Sequence, residues 1–534
     1  MGNVPPGSFR QTVMYHGTHA PQIKIFRFIT IYFGFDLTLP RWPAVHQDGN
    51  FQYAGTCTVL RRNAIPFPTQ RIHRMCRLTL GFVLAAMSAS LASAQAAAEK
   101  NPPPRGSCQI EAVDYKGWRA QQLSNAWVKL IVVPQNGGRL MQVIFAGHPY
   151  LFVNPQYEGK YLPPNEERWF NYGGDKLWLL PEGDDDEQHW RGNSDLLDDG
   201  PYSFQVHPLG QRCEIDLSSP ADPRTGIQIL RTIRLNGDAP RIQFHALMKN
   251  ISGHSVEWSV QSVSQYDTAD PNQRSRQNRD FWTFTPANPL SSYLNRYHVR
   301  SGPAEAHTIS IRDDGLFALR YAYIARELWL DSHDGWLAVV DGSTRYAMVE
   351  RFRYDESKSY PGKASVIFYT NGPEVRWDAD GMPSLSSGED RKAPYYLEAE
   401  LNSPLVRLFP DETFSFDTEW FPARAGGEFH GATEAGVIAN PFRAVALEGG
   451  KLRLSGSFGV FFPGKLVARL YDQHGAAIGT IPVVDVDPAE LVSLAVEIPA
   501  TGIPGRVSLH LEHKNGLDRG ALGEVRVEAI SGKQ

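Results

Sequence analysis

From about residue 109 onward the chain is written in short apolar runs. Stretches of roughly four to eight residues rich in Val, Ile, Phe, Tyr and Trp recur at 127–133, 140–145, 203–206, 227–235, 242–248, 256–263, 336–340, 346–353, 365–369, 395–401 and 414–421. Gly, Pro, Asn and Asp separate them, the punctuation of strands joined by turns. Only 304–311 and 316–331 suggest short helical turns. With almost no helix to carry the chain between parallel strands, the pattern excludes a βαβ architecture and predicts an all-β protein of antiparallel sheets packed face to face. So many strands over about 310 residues predict an unusually large sandwich of two extended sheets.

The cadence tightens after Ala423-Arg424-Ala425-Gly426-Gly427. Short alternating runs follow at 452–457, 460–462, 466–471, 478–484, 491–498, 507–512 and 525–529, which predicts a compact β-sandwich of about 100 residues. A boundary is expected between Gly426 and Phe442, giving a large domain at 109–425 and a small one at 440–534. Residues 95–108, with Pro102-Pro103-Pro104, read as a disordered lead-in.

The first hundred residues differ in kind. Around Met75 the basic residues Arg71, Arg74 and Arg77 precede an apolar run at 78–91 and the small residues Ala92-Ser93-Ala94, the layout of a secretory signal peptide over 75–94. The run is shorter than the ~20 apolar residues that span a bilayer. Since a signal begins at a chain start, residues 1–74 are expected to be a non-structural upstream extension, and the mature protein to be periplasmic or secreted. Only Cys108 and Cys213 then remain. An oxidising compartment permits them to pair, and the sequence leaves pairing open.

Composition adds a second constraint. Hydrophobic residues make up 42% and charged residues 21% of the 534, as in a globular protein. Residues 1–94 hold nine Lys/Arg against two Asp, which leaves −12 on the remainder of a chain whose total is −5. An acidic body without clustered Lys/Arg argues against a nucleic-acid partner. Zinc and nucleophile-elbow motifs are absent, as are glycine-rich phosphate loops, so neither a metal nor an organic cofactor is expected. The acidic run at 184–187, with Asp195, Asp198 and Asp199, lacks the spacing of a dedicated calcium loop and reads as a solvated loop.

The candidate chemistry lies in the long stretch 137–202. It holds Gly137-Gly138-Arg139, the aromatic segment Trp169-Phe170-Asn171-Tyr172, and Gly173-Gly174-Asp175-Lys176-Leu177-Trp178. Compact domains usually connect their strands with about 4 to 6 residues, so this stretch is read as one wall of a sugar-sized pocket. The planar fork of Arg139 suits vicinal hydroxyls or a carboxylate, and a structural ion pair suits it equally. Asp175 and Lys176 are adjacent and point to opposite faces of a strand, with Lys176 the favoured ligand contact. One or two of Trp169, Tyr172, Trp178 and Trp190 are expected against a ligand and the rest in a core.

These segments, together with the Lys249-Asn250-Ile251-Ser252 turn and Tyr396-Leu397-Glu398-Ala399-Glu400-Leu401 followed by Phe409-Pro410-Asp411-Glu412, resemble the galactose mutarotase-like superfamily. They resemble an uncharacterised bacterial branch of it more closely, over about residues 109–425. The resemblance implies a β-supersandwich, a sugar-binding cleft across one sheet and, from the aldose epimerases, a carboxylate base matched by Glu398. Opening a hemiacetal also needs a proton donor at the ring oxygen. Where the epimerases place a histidine acid, this chain runs through Gln261 and Gln265. A glutamine amide cannot serve as an acid, so these two residues are expected to line the cleft. The other reading of Glu398 is a strand carboxylate paired with Arg407.

The leading expectation is thus an exported carbohydrate-binding protein, acting either by binding alone or also as a sugar epimerase. Two other classes stand beside it. One is a glycosidase or lyase using Glu398 with Asp175, Glu400 or Glu350. The other is a non-catalytic cell-envelope interaction module.

Overall fold

The structure, a computed structural model, describes residues 102–529 apart from 166–169, 182–195, 305–306, 378–382, 386–393, 501 and 503. The expected upstream extension and signal peptide lie outside the described residues, as do Trp169, Trp190, the acidic run 184–187 and Asp195.

Two large antiparallel sheets dominate. The twelve-stranded sheet runs in the order Gln109–Tyr115, Trp118–Ser124, Val128–Val133, Arg139–Phe145, Asp175–Leu180, Val256–Asp267, Tyr396–Asn402, Val366–Thr370, Arg326–Leu330 and His298–Ser301, with two short strands paired at its margin. The ten-stranded sheet runs Ile309–Ile311, Leu316–Arg320, Phe281–Pro286, Trp336–Asp341, Tyr346–Phe352, Thr413–Arg424, Ile242–Asn250, Ile227–Asn236, Arg212–Ser218 and Ser203–Pro208. Period-two alternation packs them. In Ile227–Asn236 every odd position, from Ile227 to Leu235, is buried and every even one partly exposed. The inner faces meet in one core containing Leu177, Leu179, Val260, Leu397, Ala399 and Leu401 of one sheet and Ile229, Ile233, Phe244 and Trp420 of the other.

The segments 316–331 and 304–311, expected to hold helical turns, differ. They supply the strands Leu316–Arg320, Arg326–Leu330 and Ile309–Ile311. Leu316-Phe317-Ala318-Leu319 is an unbroken apolar run without period-two polarity because both of its faces are covered. Among the described residues the only helix is the single 3-10 turn Pro361–Lys363.

Two smaller sheets follow Arg424. One joins Gly436–Leu447, Lys451–Val460 and Leu491–Pro499. The other joins Ala477–Val486, Gly464–Tyr471, Arg506–Glu512 and Asp518–Arg526. They share a core with the outer face of the ten-stranded sheet, where Phe284, Trp336, Val340, Val349 and Phe421 pack with Phe442, Phe458, Phe461 and Phe462.

Residues 102–108 are held, contrary to the expected disorder. Gly106 donates to the Gly237 carbonyl at 2.8 Å, and Cys108 forms a disulfide with Cys213 across a Cα separation of 5.6 Å. That bond answers the question the sequence left open.

Candidate functional site

Directly opposed residues of an antiparallel pair share a face. In the middle of the twelve-stranded sheet the ladders oppose Gln261 to Trp178 and Asn402, Val263 to Lys176 and Glu400, and Gln265 to Glu398. Because the intervening leucines, valines and alanines fill the core between the sheets, this set stands on the outer face. Strand alternation thus gathers Lys176, Trp178, Gln261, Gln265, Glu398 and Glu400 from three separate stretches of chain.

The two carboxyls are held at close range. Gln265 donates Nε2 to Glu398 Oε1 at 2.5 Å, and Gln261 donates Nε2 to Glu400 Oε2, so one strand holds both carboxyls, which stand two residues apart on one face of the next. Burial pushes Glu398 above the ordinary carboxylate range, while the Lys176 ammonium and the Gln265 amide pull it back. Lys176 Nζ lies 3.7 Å from the centroid of the Trp178 ring and 3.9 Å from Asp198 Oδ2. Burial lowers its pKa, and Asp198 opposes that. Glu398 and Glu400 retain 7% and 6% of their exposure against 1% for Lys176, so the two glutamates, and not the lysine, keep a margin of contact with solvent. Trp178 and Tyr369 are partly exposed beside them. Gln265 Oε1 is buried with no hydrogen-bond partner.

Arg139 shapes this site from beneath. Its Nη2 meets Asp198 Oδ1 at 2.6 Å and Asp199 Oδ1 at 3.3 Å, its Nη1 donates to the Gly173 carbonyl at 3.2 Å, and all three side chains are fully buried. The approach depends on Gly137 and Gly138, both at positive φ. A Cβ at Gly137 would overlap the Asp198 carbonyl, and one at Gly138 would strike the Tyr202 ring.

Several expectations change here. The fork of Arg139 is taken up by two aspartates, so it supports the site and does not face a ligand. Asp198 and Asp199, expected in a solvated loop, are its buried counter-ions. Asp175 turns inward, as alternation requires of a neighbour of Lys176. Its carboxylate pairs with Arg231 on the opposite sheet and accepts from Ser262 Oγ at 3.2 Å, so it is no ligand contact. Tyr172 is fully buried in a small aromatic cluster with Trp118, Tyr157 and Phe170, its hydroxyl accepting from the Leu162 amide at 3.0 Å. Asn171 caps the Gly173 amide at 3.1 Å. The suggested Arg407 partner of Glu398 is instead paired with Glu257 at 3.0 Å.

Sequence reasoning missed Asn402 and the place of Asp198. Asn402 continues the outer-face row of Glu398 and Glu400 at the next alternate position, a signal that period two makes available. Nothing local marks Asp198, whose partner Arg139 lies 59 residues away.

No protein-family model and no curated protein matches the sequence. Solved structures similar to it are mostly galactose mutarotase-like or aldose 1-epimerase proteins. A galactose mutarotase-like protein from Clostridium acetobutylicum is 10% identical over 59% of this chain and 98% of its own, with a TM-score of 0.35. Another from Lactobacillus casei is 9% identical over 59% of this chain and 100% of its own, with a TM-score of 0.36. A TPR-domain containing protein from Parabacteroides distasonis is 15% identical over 57% of this chain, at a TM-score of 0.37, and the match spans 47% of that protein's length.

Proposed function

We propose that this protein is exported, binds a reducing sugar on the outer face of its twelve-stranded sheet, and interconverts the sugar's anomers with Glu398 as the base. The observation that carries this reading is the state of Glu398. Burial holds its carboxyl above the ordinary range while the residue keeps a margin of exposure, Gln265 orients it, and a buried lysine lies in its field. A carboxylate tuned upward is suited to take a hydroxyl proton near neutral pH. Gln261 and Gln265 hold the two carboxyls in place, and Trp178 offers a partly exposed aromatic face.

Cleavage of a glycosidic bond fits less well. Retaining and inverting enzymes keep their carboxyls about 5 to 5.5 Å or about 6.5 to 9.5 Å apart. Glu398 and Glu400 stand side by side on one strand and one face, so they do not flank a glycosidic bond from two sides. Asp175 and Glu350, the other partners considered, are fully buried and point into the interlayer.

The test is proton NMR of freshly dissolved aldoses with the mature protein added. Faster anomer equilibration with at least one neutral aldose is expected, and Glu398→Gln should reduce it by about 10²- to 10⁴-fold. A wild-type protein that accelerates none of a broad panel of aldoses, while binding glycans on an array, would replace epimerisation with binding alone.

A further inference from the structure

The epimerase reading leaves the ring oxygen without a proton donor, since glutamines stand where a histidine was sought. Lys176 is the first group to consider. Its Nζ is sealed under the Trp178 ring, where a sugar does not reach it. Glu400 is placed differently. It lies two residues from Glu398 on the same strand and the same outer face, with comparable exposure, and each of the two carboxyls accepts from a glutamine of the same neighbouring strand. Two nearly buried carboxyls at alternate positions of one strand favour holding a proton between them, because two carboxylates side by side in so little water repel.

We infer that Glu398 and Glu400 form a one-proton acid–base pair, with Glu400 as the general acid that serves the ring oxygen. This rests on the epimerase reading above. The surroundings decide which member is ionised. Lys176, from the Asp175–Leu180 strand on the far side of Val256–Asp267, is the foremost charge favouring ionised Glu398. Asp198, from the loop before Ser203–Pro208, opposes it. Tyr369 flanks Glu398 on the adjacent Val366–Thr370 strand, and Gln265 and Gln261 bind one carboxyl each from Val256–Asp267.

The chemistry balances without a further reactant. The anomeric hydroxyl and the ring oxygen are bonded to the same carbon, so two adjacent carboxyls match their spacing. Glu398 takes the proton from the anomeric hydroxyl. The O–H electrons become the C1 carbonyl π bond, the bond from C1 to the ring oxygen breaks, and Glu400 gives its proton to that oxygen. The pair still holds one proton, now on Glu398. After rotation about the C1–C2 bond the same transfers run backwards on the other face of the carbonyl, and the pair returns to its starting state.

The experiment compares wild type, Glu398→Gln, Glu400→Gln and Glu400→Asp by NMR line-shape and polarimetric mutarotation across pH, with thermal unfolding of each variant measured in parallel. The wild-type rate is expected to be bell-shaped in pH, its limbs belonging to the pair. Glu400→Gln should lower kcat by about 10²- to 10⁴-fold with little change in KM, and its residual activity should lack the alkaline limb. Glu400→Asp should restore part of kcat and bring that limb back. If wild type is active and Glu398→Gln is not, while Glu400→Gln keeps kcat within about threefold or keeps the alkaline limb, the pair is overturned and the epimerase reading stands. If wild type itself is inactive on every aldose, that reading fails and the pair fails with it. Should Glu400→Gln unfold, the return of the limb in Glu400→Asp decides.

Discussion

The two faces of the same three strands make opposite use of buried charge. Inward, Asp175 is clasped by Arg231 and Ser262, and Tyr266 donates to Glu350 at 2.5 Å. Each of those bonds crosses between strands or between sheets and ties the layers together. Outward, Gln261 and Gln265 donate to Glu400 and Glu398 within a single sheet, and the two glutamates keep a margin of contact with water. Burial and a shifted pKa are common to both faces, so neither alone marks a functional site. What separates them is access: Asp175 and Glu350 are sealed between the sheets, whereas Glu398 and Glu400 keep a margin of exposure.

That contrast can be broken most severely at the inward pair. Asp175→Ala would leave the Arg231 guanidinium buried without its counter-ion and is expected to cost about 3 to 5 kcal/mol in urea unfolding, with sugar turnover per folded molecule retained. Glu398→Gln should do the reverse. Equal losses of stability from both would erase the distinction between the faces.

A subtler contrast is in pH. Burial raises Glu350 from 4.5 to about 8, so between those values the folded protein holds a proton that the unfolded chain releases. Its contribution to stability is therefore complete below about pH 4.5 and is lost as the pH rises through about 8. Glu350→Gln should flatten that decline in urea midpoints measured at several pH values. A slope unchanged from wild type would show that Glu350 is not the responsible group.

Lys176→Met sharpens the outward side. Removing the cation that favours ionised Glu398 should move the acid limb of the rate profile to higher pH, with the alkaline limb less affected. A shift to lower pH would mean that the ammonium does not act on Glu398. The smallest effect is expected at the exposed Arg407–Glu257 pair, where Arg407→Ala should change stability by less than about 1 kcal/mol and leave turnover alone.

Much of this was legible in the order of residues. Period-two alternation placed Gln261 with Gln265 and set Asp175 opposite to Lys176, and the density of apolar runs announced antiparallel sheets. The same rule misled at 316–331, where strands covered on both sides lose their alternation. Contacts of long range were not legible. Arg139 sits beside glycines whose purpose is clear only when the Asp198 carbonyl is seen against them, and the Arg231 that captures Asp175 lies 56 residues further on, in the other sheet. A guanidinium looks the same in sequence whether its fork meets a sugar or an aspartate.

The aromatic seam between the ten-stranded sheet and the C-terminal sheets bears on how this protein can be handled. A chain trimmed after Arg424 would present Trp336, Val340, Val349 and Phe421 to water as a contiguous sticky flank. Such a fragment should clump on expression, so the tail acts as a permanent cover, and every assay of the sugar site requires it to be kept.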